Sequence, residues 1–309
     1  MKLAGFIVGP ERSGTTLTSA FLSQHPEIYV INDPHYLNFF AEGILHDKVR
    51  YGDLQELKNK LVDPHATRFF KQLLDITLEK VKSWYARWEE FKGDPVDLEI
   101  FYSFHDLICS DHPVSITDYF NKFHLALIPK HIRHSKPKYL VKIPDLARFG
   151  FILDLLYQGL PVIFNVRHPV CNIASIIGPN EDRGWSYDQI ISWYRCFFPQ
   201  DIISKCRPGL TFTRYEDLIF YKREQTLLEI LKALRLDAHN LSLSDQFDYP
   251  NKKVMWKTNG RVDPYRIISS LKDLTPLQLL QALEQTSDID RAFYPDLSLM
   301  KIIQDVTGK

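Results

Sequence analysis

The chain has 309 residues, in which 38 lysines and arginines balance 38 aspartates and glutamates, and 45% of positions are hydrophobic. That length supports a large core, in one domain or two small ones. The neutral balance argues against a general nucleic-acid binder, which carries a basic excess, and weakly against a polyanionic polysaccharide partner, although a local basic cleft is compatible with it. No apolar stretch reaches the roughly 18 residues that a membrane span needs. No basic segment, apolar run and cleavage site precede Leu3, so the expectation is no signal peptide and a cytoplasmic protein. Cys109, Cys171, Cys196 and Cys206 lack metal-ligand spacing. They read as reduced, mostly buried small hydrophobes, and no metal is expected.

The first element is an apolar strand, Leu3 to Val8. A turn follows, Gly9-Pro10-Glu11-Arg12-Ser13-Gly14-Thr15-Thr16, and then Leu17, Ala20, Phe21 and Leu22 recur at helical spacing. Glu27 to Ile31 reads as a second strand, running into Asn32-Asp33-Pro34-His35-Tyr36-Leu37 and an apolar-aromatic helix. Between about residues 45 and 135 the pattern turns helical, around 53–62, 66–91 and 117–128, with Trp84, Trp88 and several histidines. This stretch reads as a helical insertion that covers the site on the acceptor side, within a single domain spanning 1–309. Lys138 to Ile143 returns to strand character, with Pro144-Asp145 and a helix through Tyr157 after it. Leu160 to Val166 is an apolar strand of the kind buried on both faces of a parallel sheet, and it leads into Arg167-His168-Pro169 and a helix through Ile177. Residues 185–205 read as helical, Leu210 to Arg214 as a short strand before Tyr215-Glu216-Asp217-Leu218, and Lys257 to Asp263 as a turn-rich segment before further helices. Strands alternating with helices predict an α/β fold, a three-layer sandwich around a central parallel sheet.

In such a sheet ligands bind beyond the carboxyl ends of the strands, and three polar groupings stand there. Strand, tight loop and helix in the first 24 residues aim free amides and a helix dipole at one point, which suits phosphate. The Gly9-to-Gly14 spacing is that of the nucleotide-phosphate loop G-x-x-x-x-G-K-[ST], but Thr15 stands in the lysine's place and the cation is Arg12. A guanidinium can fork two hydrogen bonds onto a tetrahedral anion, and Thr15 and Thr16 add hydroxyls. An ordinary βα turn with a serine or threonine cap is the plain alternative. The second grouping is Arg167 with Ser175, two helical turns on, a fitting pair for a second phosphate; a surface arginine and a helix serine would look the same. The third is Asn259-Gly260-Arg261, a turn in which amides and a guanidinium can face one anion, or simply a solvated turn.

Taken in this order, the motifs resemble those of the sulfotransferase family, whose members use 3′-phosphoadenosine 5′-phosphosulfate (PAPS), over roughly residues 3–266. Pro10 to Leu17, including Ser13, Gly14, Thr15 and Thr16, is similar to that family's 5′-phosphosulfate loop, with Arg12 as in tyrosylprotein-type and many bacterial members where cytosolic animal enzymes carry lysine. Val166-Arg167-His168-Pro169 through Ser175 resembles the 3′-phosphate motif. Tyr215-Glu216-Asp217-Leu218 resembles an element near the adenine, and Asn259-Gly260-Arg261 the late loop that closes on the 3′-phosphate. The resemblance implies a P-loop-like fold and sulfuryl transfer from PAPS, as co-substrate, to a hydroxyl or amine of a small-molecule acceptor, for which no magnesium clamp is demanded. Asp33 is the first candidate for general base, in the region where heparan-type members place a glutamate, and His35 is the second; helix capping and packing are their ordinary roles. Lys142, in Lys142-Ile143-Pro144-Asp145, resembles the lysine of the family's Lys-x-Pro element, which positions acceptor or leaving group. His105, His112 and His124 could reach the acceptor but suit structural roles. Carbohydrate or peptide-tyrosine acceptors remain open, as does the oligomeric state. The competing readings are a P-loop kinase, which would want lysine at position 15 and an acidic magnesium ligand, and a non-catalytic nucleotide-binding protein.

Overall fold

The computed structural model describes residues 1–46, 54–92, 103, 106, 114–180, 184–205, 207–238 and 262–308. Five strands, β1 (Lys2–Val8), β2 (Ile28–Asn32), β3 (Lys138–Lys142), β4 (Val162–Val166) and β5 (Leu210–Arg214), form one sheet in the order β2-β3-β1-β4-β5. Every pairing is parallel. Strand β1 is therefore central, flanked by β3 and β4, and the direction of strand addition reverses beside it, which opens a crevice at the carboxyl edge.

Side-chain alternation along β1 divides the core. Phe6 and Val8 face one layer, with Ile31, Val141 and Phe164 from the neighbouring strands. Ile7 faces the other, with Val30, Leu140 and Ile163. On the second face pack α1 (Thr15–Ser23), through Ala20, Phe21 and Leu22, and α12 (Arg223–Ala233), through Leu227, Ile230 and Leu231. On the first face lie α2 (Tyr36–His46), α6 (Ile116–Ala126), α8 (Gly150–Leu156) and α9 (Pro169–Asn180). Helices on both faces give the three-layer α/β architecture expected from the sequence. Each wholly buried phenylalanine here, such as Phe6, Phe21 or Phe40, contributes about 1.5–3 kcal/mol through removal from water.

Every described element between β2 and β3 is helical: α2, α3 (Leu54–Val62), α4 (Ala66–Phe69), α5 (Lys71–Lys92), α6 and α7 (Lys130–Ser135). Ser115 starts α6 by accepting the Asp118 amide at 3.0 Å. The single helix expected over 66–91 is two, divided at Phe70, which is wholly buried. The helix expected over 185–205 is likewise α10 (Tyr187–Arg195) and α11 (Gln200–Ile203), because Phe197 and Phe198 turn into the core and Pro199 cannot extend the first helix. After Pro144-Asp145 the chain makes a 3₁₀ turn (Pro144–Phe149) before α8. The C-terminal part holds a 3₁₀ turn (Pro264–Ile267), α13 (Pro276–Gln285), α14 (Ser287–Phe293) and α15 (Leu299–Thr307). No helix among the described residues is long and apolar enough to cross a membrane.

Candidate active site

All five strands deliver a polar segment to the carboxyl edge: Gly9–Gly14 after β1, Asp33–His35 after β2, Pro144-Asp145 after β3, Arg167-His168 after β4 and Tyr215–Asp217 after β5. The β1 loop is the tightest. A side chain on Gly9 (φ +143°) would lie 2.3 Å from the Asn165 carbonyl, and one on Gly14 (φ +98°) 2.4 Å from the Tyr215 ring. Only glycine fits either position. Gly14 precedes α1 without offering a side-chain cap, so the first-turn amides of α1 face the loop. The loop is held from behind: Asn172 Nδ2 donates to the Glu11 carbonyl at 2.8 Å, and Asn165 Nδ2 to Thr18 Oγ1 at 2.7 Å. Ser13 Oγ is buried with no hydrogen-bond partner, and Thr15 is buried while Thr16 is half-buried.

Arg12 is exposed as a whole residue, and its Nε donates to Ser175 Oγ at 3.3 Å. Withdrawal from water, and then the nearby Arg167 charge, lower its pKa from the ordinary arginine value; Arg266 adds to the same effect. Arg167 is 4% exposed. Its Nη1 donates to the Arg12 carbonyl at 3.3 Å, and Nη2 to the carbonyls of Arg266 and Ile267 at 2.7 Å each. Its guanidinium lies 4.9 Å from the centre of the Tyr215 ring. The Nε of Arg167 is buried and has no partner. Ser175, expected beside Arg167, thus meets Arg12, and Tyr215 floors both Arg167 and Gly14. Three guanidinium groups within electrostatic reach of one another, beside uncapped helix amides, are an arrangement that suits an anion.

Across the crevice, Lys142 is 3% exposed and its Nζ donates to Asp33 Oδ2 at 2.7 Å and to Thr16 Oγ1 at 3.2 Å. The Asp33 amide closes the strand end by donating to the Lys142 carbonyl at 2.8 Å. His35 Nδ1 lies 3.4 Å from Asn38 Nδ2. Arg12, Asp33 and His35 have φ of 65°, 50° and 49°, and are three of the five non-glycine residues with positive φ among the described residues. Such backbone costs about 1–3 kcal/mol per residue and gathers at working sites. Asp145 follows β3: its Oδ1 is buried without a partner, and burial, then the Glu11 charge, push its pKa up to about 7, with Asp33 and Glu42 adding and Arg148 opposing.

The structure therefore brings together Arg12, Ser13, Gly14, Thr15, Thr16, Asp33, His35, Lys142, Arg167, Ser175 and Tyr215. Asn259, Gly260, Arg261, His105 and His112 lie outside the described residues. His124 is wholly enclosed by Phe6, Tyr36, Tyr139 and Tyr157, and burial lowers its pKa to about 3, so it packs as a neutral ring. Cys171 is a buried thiol, pushed up to about 12 by burial, and Cys196 is exposed. Among the described residues no His, Cys, Asp and Glu group could hold a metal ion. Sequence reasoning missed Arg266, whose place in this corner depends on the fold of the C-terminal part, and the free carboxyl of Asp145.

The sulfotransferase family model matches residues 6–239, three quarters of the chain, from the end of β1 through β5. The chain belongs to the sulfotransferase family. Similar solved structures include the sulfotransferase domain from the Synechococcus PCC 7002 olefin synthase, 21% identical, covering 91% of this sulfotransferase and 93% of that chain with a TM-score of 0.49. Others are sulfotransferase STF9 from Mycobacterium avium (14% identity, 96% and 77% covered, TM-score 0.47) and a sulfotransferase from Alicyclobacillus acidocaldarius (11% identity, 98% and 99% covered, TM-score 0.43). No match is found among curated proteins.

Proposed function

We propose that this sulfotransferase moves the SO3 group of PAPS to a hydroxyl or amine of a small-molecule acceptor. The observation that carries this is Lys142, whose Nζ touches Thr16 of the anion loop and Asp33 of the opposite wall at once. An ammonium has three donors; with two so engaged, the third is free for an oxygen between loop and carboxylate.

The residues divide the work. Ser13, the first-turn amides, Thr15, Thr16 and Arg12 hold the 5′-phosphosulfate and take up charge on the leaving phosphate oxygen. Arg167, with Ser175 and Arg266 nearby and Tyr215 behind it, holds the 3′-phosphate, to which its unpartnered Nε is the free donor. Gly260 and Arg261 are assigned to the same phosphate from the family motif. Asp33 takes the acceptor proton, with His35 as the second candidate. The acceptor oxygen or nitrogen then bonds to sulfur as the sulfur–oxygen bond to phosphate breaks, its electron pair leaving on the phosphate. The aromatic-rich sequence of the helical insertion favours a small, partly apolar acceptor over a carbohydrate or a peptide tyrosine.

The test measures melting temperature with 3′-phosphoadenosine 5′-phosphate (PAP) in the presence of EDTA. A ligand that binds the folded state at 100 times its Kd stabilises by about 2.7 kcal/mol. PAP is expected to protect more than ATP or ADP, and transfer of ³⁵S from labelled PAPS to a panel of small alcohols, phenols and amines then identifies the acceptor class. Better protection by ATP would overturn the donor assignment.

A further inference from the structure

Beneath the arginine corner lies a buried carboxylate with no place in the chemistry above. Glu216 is wholly buried. Its Oε1 accepts the backbone amide of His168 at 3.0 Å, and its Oε2 accepts the hydroxyl of Tyr294 at 2.6 Å. Tyr294, immediately after α14, is itself buried, and its ring packs 5.2 Å from that of His168. A buried carboxylate with two donors adds little stability that an apolar side chain of similar volume could not supply. Its connections say more about its use. The amide it holds belongs to the residue after Arg167, and the residue before it is Tyr215, the ring on which Arg167 lies. Glu216 thus ties the β4 turn to the β5 turn, and the Arg167–Tyr215 stack rests on that tie.

We propose that Glu216 is a positioning residue that aims Arg167 at the 3′-phosphate, with Tyr294 of the C-terminal segment as its anchor, resting on the donor reading above. The geometry of Arg167 makes this matter. Three of its five N–H donors are committed to the backbone carbonyls of Arg12, Arg266 and Ile267, and Nε is the guanidinium nitrogen with no partner at all, so Nε is the donor left to lead toward the anion and its direction follows the backbone of the 167–168 turn. Hydrogen bonds of this kind fall off steeply with angle. Loosening the His168 amide costs recognition of one phosphate and leaves the 5′ end, which is gripped by the β1 loop.

The experiment compares dissociation constants for PAP and adenosine 5′-monophosphate, which lacks the 3′-phosphate, in the wild type, Glu216→Gln and Tyr294→Phe. Glutamine keeps the shape but turns one acceptor into a donor; phenylalanine keeps the ring and removes the hydroxyl. PAP binding is expected to weaken about tenfold in Glu216→Gln and about threefold in Tyr294→Phe, the size of one hydrogen bond lost. The monophosphate should stay within about twofold of wild type, and the double variant should bind PAP no worse than Glu216→Gln, as for residues acting through one contact. Equal losses for both nucleotides, or none, overturn the positioning role. If Glu216→Gln does not fold, Tyr294→Phe decides alone. A wild type that does not prefer PAP overturns the donor reading and this role with it; a preference that both variants retain overturns this role only.

Discussion

The corner made by β1, β4 and β5 and the corner made by β2 and β3 share one edge of one sheet, yet their charges are arranged in opposite ways. In the first, Arg12, Arg167 and Arg266 crowd together. The terminal nitrogens of Arg167 meet backbone carbonyls rather than a carboxylate, and the Arg12 pKa is lowered by burial and then by the Arg167 charge. In the second, cations and acids are interleaved. Lys142 pairs with Asp33, Arg148 pairs with Glu42 at 3.3 Å, and burial pushes the Asp145 carboxyl up to about 7. Guanidinium groups gathered this closely suit an anion from outside. Acids and bases placed side by side move protons within the site. On the proposed reading the difference separates a donor-binding corner from a proton-handling one, with Lys142 touching Thr16 on one side and Asp33 on the other.

The sharpest way to break that division is Asp33→Asn. Turnover with the acceptor found by the ³⁵S assay is expected to fall about 10²–10⁴-fold, the usual worth of a positioned proton acceptor, while the PAP dissociation constant barely moves. Full activity would pass the role to His35, and a parallel loss of PAP binding would show that the two corners are one. On the donor side, Gly14→Ala forces a Cβ to within 2.4 Å of the Tyr215 ring at φ +98°. A stability loss of about 1–3 kcal/mol is expected from the strained backbone alone, and PAP protection should shrink because the start of α1 and the Tyr215 floor move together. An unchanged melting temperature would mean that Tyr215 yields freely and does not fix the loop.

A pH-dependent test comes from Asp145→Asn. Burial raises this carboxyl from an ordinary 3.8 to about 7, so the folded protein binds the proton more tightly than the unfolded chain. Between those two values the native state holds more protons, and stability therefore falls as pH rises. Asparagine removes that dependence. The difference in melting temperature between variant and wild type should be small below pH 4, grow in the variant's favour up to about pH 7, and level off above it. A difference that is flat with pH would show that Asp145 carries no raised pKa.

Strands and the loops that follow them were legible because both signals are local. Apolar runs mark the strands, and Gly9, Gly14, Arg12, Asp33, Lys142 and Arg167 stand within a few residues of a strand end, where the topology of a parallel sheet gathers them. Ser175 was read as a partner of Arg167 and reaches Arg12, because helical spacing gives the face of a helix but not what comes to meet it. Arg266, Tyr294 and the free carboxyl of Asp145 were not legible at all: each matters through contacts or charges brought from distant parts of the chain. The breaks at Phe70 and at Cys196–Pro199 escaped for a related reason, since buried phenylalanines interrupt a helix through packing that periodicity does not record.

The left-handed backbone at Arg12, Asp33 and His35 has a consequence for how this sequence can drift. Glycine at any of the three would relax the local conformation, and asparagine at positions 12 or 35 would ease it in part. Selection for thermal robustness alone would therefore pull these positions away from the guanidinium, carboxyl and imidazole that the proposed reaction uses. On that proposal, a library of this chain enriched only for heat resistance would lose its chemistry at the same three codons.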